Sequence, residues 1–449
     1  MRNMKVGFID LKHKKHGFAN RDQTGGFGSQ MHATSMIGKF LQTVKKSKSR
    51  LPVLSLAYLA AIARQHNHEI FYFEDIPSVD LDIIILATSM AHFEYELEFC
   101  NKVKGKFDKV KLGAIGPFSS EMPHLFEDFV DFIIKGEPED AFTKICNGTI
   151  DPKGQIISNQ IDDVNRIPKP EWSIFPINEY SYFPSLPKKP FLTIQASRGC
   201  PFACEFCPYL VQQGIPLRRK KNELIIEEIE NLVENFSIRS LLFRDITWSM
   251  HRKETKELCR MLIEKDFNLE IGVETRADTL DAELIDLMKQ AKVRVVNLGI
   301  ESPSDEILQS SGRRPIKENK LEMVLDRLNK ASIEVQAFYI LGLIDDTVKS
   351  MRKTIFYSFK LNTFTAQFCV LTPFPGTKTF HDLSGRLLTK NFAKYNEYEP
   401  VVKIDGASSE EIRRLRDFAF SRYYLRIGWL YKHGLKLLRS IFLSYLRKT

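Results

Sequence analysis

Short apolar runs alternate along this chain with stretches in which apolar residues recur every three or four positions. The runs read as strands and the recurrences as helices. In the first third, "MKVGFIDL", "HEIFYFED", "LDIIILATS", "VKLGAIG" and "FVDFIIKG" are five strand candidates rich in β-branched residues. A helical repeat runs through "VLSLAYLAAIARQHN" (Leu54, Tyr58, Ala61, Ile62), and a second helix is expected over 93–106. The polar segment 11–50, with Gly25, Gly26 and Gly28 and the basic residues Lys45, Lys46, Lys48 and Arg50, reads as loop and short helix. Strands alternating with helices predict a doubly wound parallel sheet with its ligand crevice at the strand C-termini.

From residue 191 the alternation resumes. "FLTIQAS", "SLLFRD", "LEIGVET", "VRVVNLGIES", "EVQAFYILG" and "TAQFCVLTPFPGT" are strands, separated by helices over 222–236, 251–266, 281–291, 317–331 and 347–361. Six βα units exceed a simple doubly wound half and predict a six-unit partial barrel whose loops meet at one mouth. Between the two series, 151–190 carries Pro168, Pro170, Pro176, Pro184, Pro187 and Pro190 among aromatics, and reads as a connector wrapped over the surface. The chain is thus α/β throughout. Its expected divisions are a doubly wound domain over 1–150, a linker over 151–190, a partial barrel over 191–400 and a basic helical extension over 401–449.

A length of 449 residues allows two or three domains, and 43% hydrophobic with 27% charged residues is an ordinary globular balance. Seven cysteines are too few, and odd in number, for a secreted disulfide framework; free thiols suit a reducing cytoplasm. The apolar run at the N-terminus is too short for a signal peptide, and no stretch reaches the ~18 apolar residues of a membrane span. A cytoplasmic location is the expectation.

Net charge is +9, of which residues 409–449 supply +7 from ten Lys/Arg against three acids. The near-balanced remainder argues against a surface that coats nucleic acid. Within a helix expected over 422–447, Ile427, Leu430, Tyr431, Leu438, Ile441, Phe442 and Tyr445 share one face, and Arg422, Lys432, Lys436, Arg439 and Arg447 the other. With Trp429 in place, such a helix suits peripheral contact with a membrane; it equally suits packing of the apolar face on the domain. His13 and His16 read as solvated loop residues.

Chemistry concentrates in "SRGCPFACEFCPY", where Cys200, Cys204 and Cys207 follow the first barrel strand and so stand at the mouth. Three thiolates can hold three irons of a 4Fe–4S cluster and leave the fourth iron open. Structural zinc normally takes four ligands, typically as two C-x2-C pairs. Here no second pair exists: Cys259 and Cys369 are isolated, and with Cys100 and Cys146 they read as apolar fillers.

This C-x3-C-x2-C spacing, with Phe206 inside it and a six-fold βα series after it, resembles the radical S-adenosylmethionine superfamily. "GVETRADTLDAELIDLMKQAKVRVVNLGIES", "FYILGLIDDT" and "LTPFPGT" are similar to its third to sixth units. The resemblance implies a 4Fe–4S cluster whose open iron binds the amino and carboxylate groups of S-adenosylmethionine. It also implies an external electron donor of the flavodoxin or ferredoxin type, and a 5′-deoxyadenosyl radical that abstracts hydrogen from an unactivated carbon. By position, the backbone of Phe206 would meet adenine, Glu301 and Ser302 the ribose and methionine ends, with Glu274 and Arg276 nearby. Gly342 would admit close approach to the adenine. The loop at 342–347 departs from the family's Gly-x-Pro-x-Glu-Thr.

The first domain, "LPVLSLAYLAAIARQHNHEIFYFED…LDIIILATS…GAIGPF…FVDFIIKGEPED", resembles the cobalamin-binding domain fused to many radical enzymes. It lacks the Asp-x-His-x-x-Gly motif that brings a histidine to cobalt, and of the usual Gly-Gly it keeps Gly116 alone. Thr88, Ser89, Gly116 and Glu137 are the residues placed at the crevice by this resemblance. Together the two likenesses imply methyl transfer to an unactivated carbon of a small-molecule or lipid-like substrate. Cyclisation, rearrangement or carbon–carbon coupling without methylation remains open, as do a first domain that binds nothing and a non-catalytic iron–sulfur scaffold or electron carrier. A carrier would not need the "VETR" and "GIES" segments.

Overall fold

A computed structural model describes residues 3–30 and 49–438. Its first sheet contains β1 (Lys5–Ile9), β2 (Glu69–Phe73), β3 (Ile83–Ala87), β4 (Lys111–Ile115), β5 (Phe132–Lys135) and β6 (Gly154–Ile157). All pairs are parallel, in the order β2-β1-β3-β4-β5-β6. Along β3 every residue is buried, because alternate side chains enter opposite layers. Ile83, Ile85 and Ala87 join the core under α1 (Leu54–Gln65), while Ile84 and Leu86 join the core under α2 (Phe93–Lys106). A further helix, α3 (Pro138–Cys146), packs beside α1 through Phe142 and Ile145. The chain reverses its direction of growth between β1 and β3, and the C-terminal ends there face the rest of the molecule.

The second sheet contains β7 (Phe191–Ile194), β8 (Ser240–Phe243), β9 (Glu270–Thr275), β10 (Val293–Glu301), β11 (Glu334–Leu341) and β12 (Thr365–Val370), each parallel to its sequence neighbour. Between them run α4 (Asn222–Phe236), α5 (Arg252–Lys265), α6 (Ala282–Gln290), α7 (Glu318–Lys330) and α8 (Val348–Leu361), within a residue of the expected bounds. This is the expected partial barrel.

The 151–190 segment differs from expectation. It supplies the sixth strand of the first sheet and then runs inward, with Trp172, Tyr180 and Leu186 fully buried in the core shared by both sheets. Its prolines do force an irregular path, but its aromatics carry too much apolar surface to be left in water.

The C-terminal extension also differs. The helix α9 (Ser409–Tyr423) opens on a Ser408–Glu411 capping box and packs Ile412, Leu415, Phe420 and Tyr423 inward. The backbone then breaks at Leu425 and Arg426, where the Arg426 guanidinium donates to the Phe359 carbonyl and to Asn362 (2.8 Å). Helical winding resumes at Ile427 and continues through 438. The continuous helix expected from 422 is therefore two pieces. In the second, Trp429 and His433 pack inward, whereas Ile427, Leu430, Tyr431, Leu435 and Leu438 face solvent, Tyr431 at 90% exposure. Arg439, Ile441, Phe442, Tyr445 and Arg447 lie outside the described residues, as do Lys45, Lys46 and Lys48. No helix among the described residues is long and apolar enough to cross a membrane.

Candidate active site at the barrel mouth

The loop after β7 is closed at its base by an antiparallel pairing of Ser197–Arg198 with Arg218–Arg219. Gly199 turns it with φ +81, where a Cβ would collide with the Pro216 carbonyl oxygen. Cys200, Cys204 and Cys207 line one cavity of about 250 Å³ at the mouth, together with Phe206, Glu274, Arg276 and Glu301. Burial raises the Cys204 thiol, against the pull of the neighbouring Arg313 guanidinium. Burial pushes Cys207 up to about 12, and the adjacent Cys204 and Cys200 add to it. An all-sulfur donor set on one loop, open to a cavity, fits an iron–sulfur cluster. The loop does not form a single-ion seat: among the described residues no three His, Cys, Asp or Glu side chains are grouped to hold one metal ion.

Opposite the thiols, β10 bulges between Gly299 and Glu301, and Glu301 takes φ +64. The extra residue re-aims the Glu301 side chain into the cavity. There its Oε1 lies 3.4 Å from Arg313, which also donates to the Gly299 carbonyl at 2.5 Å. Burial raises the Glu301 carboxyl, and Arg313 and Arg276 oppose that shift. Arg276 stacks over Phe202 at 4.3 Å and grips Asp278 through Nε and Nη2, both at 2.9 Å. Its Nη1 is buried and donates to nothing among the described residues. Glu274 pairs with Arg244 and accepts from Asn297 Nδ2 at 3.2 Å.

Two residues expected here stand elsewhere. Ser302 accepts from the Ser304 N–H at 3.2 Å and faces Thr354, outside the cavity lining. Gly342 donates to the Asp346 carboxylate at 3.0 Å, and its left-handed backbone (φ +79) packs on Ile412 of α9. Asp346 thus closes this loop on itself.

At the first sheet, Thr88, Gly116 and Glu137 line a crevice of about 90 Å³ facing the barrel. Ser89 does not. Its N–H and hydroxyl donate to Glu96 at 2.9 and 2.6 Å, Glu96 accepts from Arg21 at 2.7 Å, and Arg21 also donates to Asp10 at 2.8 Å. Glu137 receives both Arg218 amino groups at 2.8 Å, and Glu139 receives Arg198 at 2.5 Å. These two arginines are the base of the cysteine loop, so the crevice and the cluster seat share one clamp. Tyr209 and Arg244 line both spaces. Arg244 donates to Asp22 at 2.7 Å, and Gly25 (φ +63) lies so close that a Cβ would stand 2.6 Å from the Pro208 carbonyl carbon. The 22–28 loop is the wall between the two spaces. Arg244, Arg313, Tyr209 and Asn297 were not expected from sequence; of these, only Arg244, in "FRD" just past β8, sits where a strand end would have flagged it.

Residues 194–357 match the family model described as the radical SAM superfamily. These residues form a radical SAM domain, and the protein is an enzyme. It is 27% identical to an uncharacterised methyltransferase of Pyrococcus horikoshii, over 87% of this chain and 92% of that protein. It is 24% identical to the anaerobic magnesium-protoporphyrin IX monomethyl ester cyclase of Rubrivivax gelatinosus, over 80% of this chain and 68% of that one. In fold it is similar to TsrM of Kitasatospora setae, a radical S-adenosylmethionine methyltransferase solved with cobalamin and a 4Fe–4S cluster bound, at TM-score 0.69 and 13% identity over 95% of this chain and 90% of that one. A radical SAM domain implies a 4Fe–4S cluster and S-adenosylmethionine as cofactors, and the first domain shares the fold seen in the cobalamin-bound TsrM structure.

Proposed function

We propose that this radical SAM enzyme transfers a methyl group to an unactivated carbon, with cobalamin as the methyl carrier. The observation that carries the reading is the shared wall: a thiol-lined cavity and a sheet-end crevice abut across Tyr209 and Arg244. The cluster with S-adenosylmethionine, when bound and reduced by one electron, would supply hydrogen abstraction from the substrate, with methionine and 5′-deoxyadenosine as products. Cobalamin, when bound, supplies the methyl group.

The chain's own residues supply the positioning. Cys200, Cys204 and Cys207 would hold three irons, and the unpartnered Nη1 of Arg276 would meet the carboxylate of S-adenosylmethionine. Glu301, paired with Arg313 at 3.4 Å, would take its ribose or ammonium donors. The crevice bears the neutral groups that suit an amide-fringed macrocycle: Gln195, Gln212, Gln213 and Thr88, between glycine walls at Gly25, Gly26 and Gly116. At about 90 Å³ it is smaller than a corrin, so loading would require the crevice to widen.

The test is anaerobic reconstitution. The expected result is about four iron per chain, 5′-deoxyadenosine on reduction, and no iron after joint replacement of Cys200, Cys204 and Cys207 by Ala. Iron retained in the triple variant overturns the cluster assignment. Deoxyadenosine formed equally by enzyme that binds no hydroxocobalamin favours a cyclisation or rearrangement, as the cyclase relative would suggest.

A second reading concerns where the enzyme works. The exposed stripe of Ile427, Leu430, Tyr431, Leu435 and Leu438, flanked by Lys432 and Lys436, fits peripheral contact with an anionic membrane. Co-sedimentation with phosphatidylglycerol vesicles should fall sharply when Leu430, Tyr431 and Leu435 become Ser together. Equal sedimentation of the two forms removes this reading.

A further inference from the structure

The far wall of the 250 Å³ cavity, across from the cysteine loop, contains Tyr182, Glu274, Asn297, Gln367 and Glu397. Asn297 is the informative residue. It is 4% exposed on β10, and its Nδ2 donates to the Tyr182 hydroxyl at 2.9 Å and to Glu274 at 3.2 Å. A carboxylate only accepts, so the atom facing Glu274 must be the amide nitrogen, which fixes the other atom as oxygen. That Oδ1 is buried and accepts from nothing among the described residues. A buried acceptor without a donor is costly, by about 1–3 kcal/mol, and calls for a missing partner.

The charges around it agree. Glu274 and Glu397 are both in the lining. Glu397 is held beside β12 by its carbonyl, which accepts from the Val370 N–H at 2.7 Å. Arg244 on this side is shared between Glu274 and Asp22, one guanidinium between two carboxylates. The remaining two arginines of the lining are committed at the cluster end, Arg276 to Asp278 and Arg313 to Glu301. The wall facing a substrate therefore offers acceptors and negative charge.

We propose that the substrate of this enzyme carries a protonated amine, and that Asn297 Oδ1, beside Glu274, receives its N–H donors. This rests on the radical SAM reading of the same cavity and adds the class of molecule that enters it. Anionic substrates, whose carboxylates would face Glu274, are disfavoured by the same wall.

Three probes of matched size test it by calorimetry on the full chain with cluster and S-adenosylmethionine bound: 2-phenylethylamine, phenylacetate and 2-phenylethanol. The amine should bind about tenfold more tightly than phenylacetate, a ratio that one charge-assisted hydrogen bond sustains. Asn297→Leu should weaken the amine about tenfold and leave 2-phenylethanol within a factor of about two. Because Asn297→Leu also frees Tyr182, Glu274→Gln serves as a second variant, expected to lower amine affinity several-fold and again leave 2-phenylethanol within a factor of about two. Equal or tighter binding of phenylacetate, or no binding of any probe at millimolar concentration, overturns the proposal. Deoxyadenosine is measured on the same samples. If it forms without amine preference, the substrate class fails alone; amine preference without deoxyadenosine fails the radical reading instead.

Discussion

The two spaces on either side of Arg244 are built from the same plan and finished differently. Both lie at the C-terminal ends of parallel strands, and both are bordered by buried arginine–carboxylate pairs. In the barrel cavity, beside the three thiols, the Nη1 of Arg276 and the Oδ1 of Asn297 have no partner among the described residues. In the crevice the main carboxylate is consumed, since Glu137 takes both amino groups of Arg218. A charged residue at a strand end is therefore ambiguous by itself. What marks a ligand site is an unsatisfied donor or acceptor facing an open volume. What marks a joint between domains is a satisfied one.

If Glu137 and Arg218 are a joint, breaking them should be the most damaging change. Arg218→Met leaves buried Glu137 with only Arg198, at 3.6 Å, and should cost about 3–5 kcal/mol in urea unfolding. Because Arg218 also closes the base of the cysteine loop, iron content after reconstitution should fall with it. Restoring neutrality in Glu137→Leu/Arg218→Met should recover much of the stability. A single variant with unchanged stability would mean that the two domains are held by other contacts.

Separating the two spaces functionally takes a pair of substitutions. Gly116 has φ +115 and a Cβ there would sit 3.2 Å from Thr88 Oγ1, so Gly116→Phe both strains the backbone and fills the crevice. Retention of hydroxocobalamin should drop below detection while iron content holds. Glu301→Gln should do the reverse, leaving iron and cobalt content intact and lowering deoxyadenosine formation about tenfold. Loss of both readouts in either variant would collapse the two spaces into one functional unit.

The sequence makes most of the scaffold legible, because helix and strand periodicities are local. The bounds of α4 through α8 follow from apolar spacing within each segment. The strand β6 escapes because "GQII" is an edge strand with a single buried residue and shows no apolar run, and the burial of Trp172 escapes because it depends on where α1 lies in space. The site divides in the same way. Cys200, Cys204 and Cys207 are near neighbours in sequence, and their chemistry is readable from spacing. Ser89 and Ser302 sit at strand ends, as expected of ligand residues, but Glu96 and Ser304 reach them first. Arg244 meets Asp22 across more than two hundred residues, and nothing local announces that contact. The helix after Arg426 misleads in the opposite direction, since its apolar stripe is real but faces water.

The smallest expected effect concerns Gly342, the residue that belongs to neither space. Its loop is closed by Asp346, which accepts from the N–H groups of Gly342 (3.0 Å) and Leu343 (3.1 Å) and from the Ser350 hydroxyl (2.5 Å). Burial nonetheless pushes the Asp346 carboxyl from 3.8 up to about 6. The folded state therefore holds this proton more tightly than the unfolded chain does. Its contribution to stability is complete below about pH 4, declines as pH rises through about 6, and is level above that, a change on the order of 1–3 kcal/mol. Asp346→Asn keeps an oxygen for the two backbone donors and has no proton to lose. Urea unfolding of that variant should show a flatter profile between pH 4.5 and 7 than the parent, with 5′-deoxyadenosine formation unchanged. If the slope persists, another buried acid such as Glu274 or Glu301 governs it. If deoxyadenosine formation falls, the 342–347 loop reaches the adenosine after all, and the boundary of the barrel cavity must be redrawn to include it.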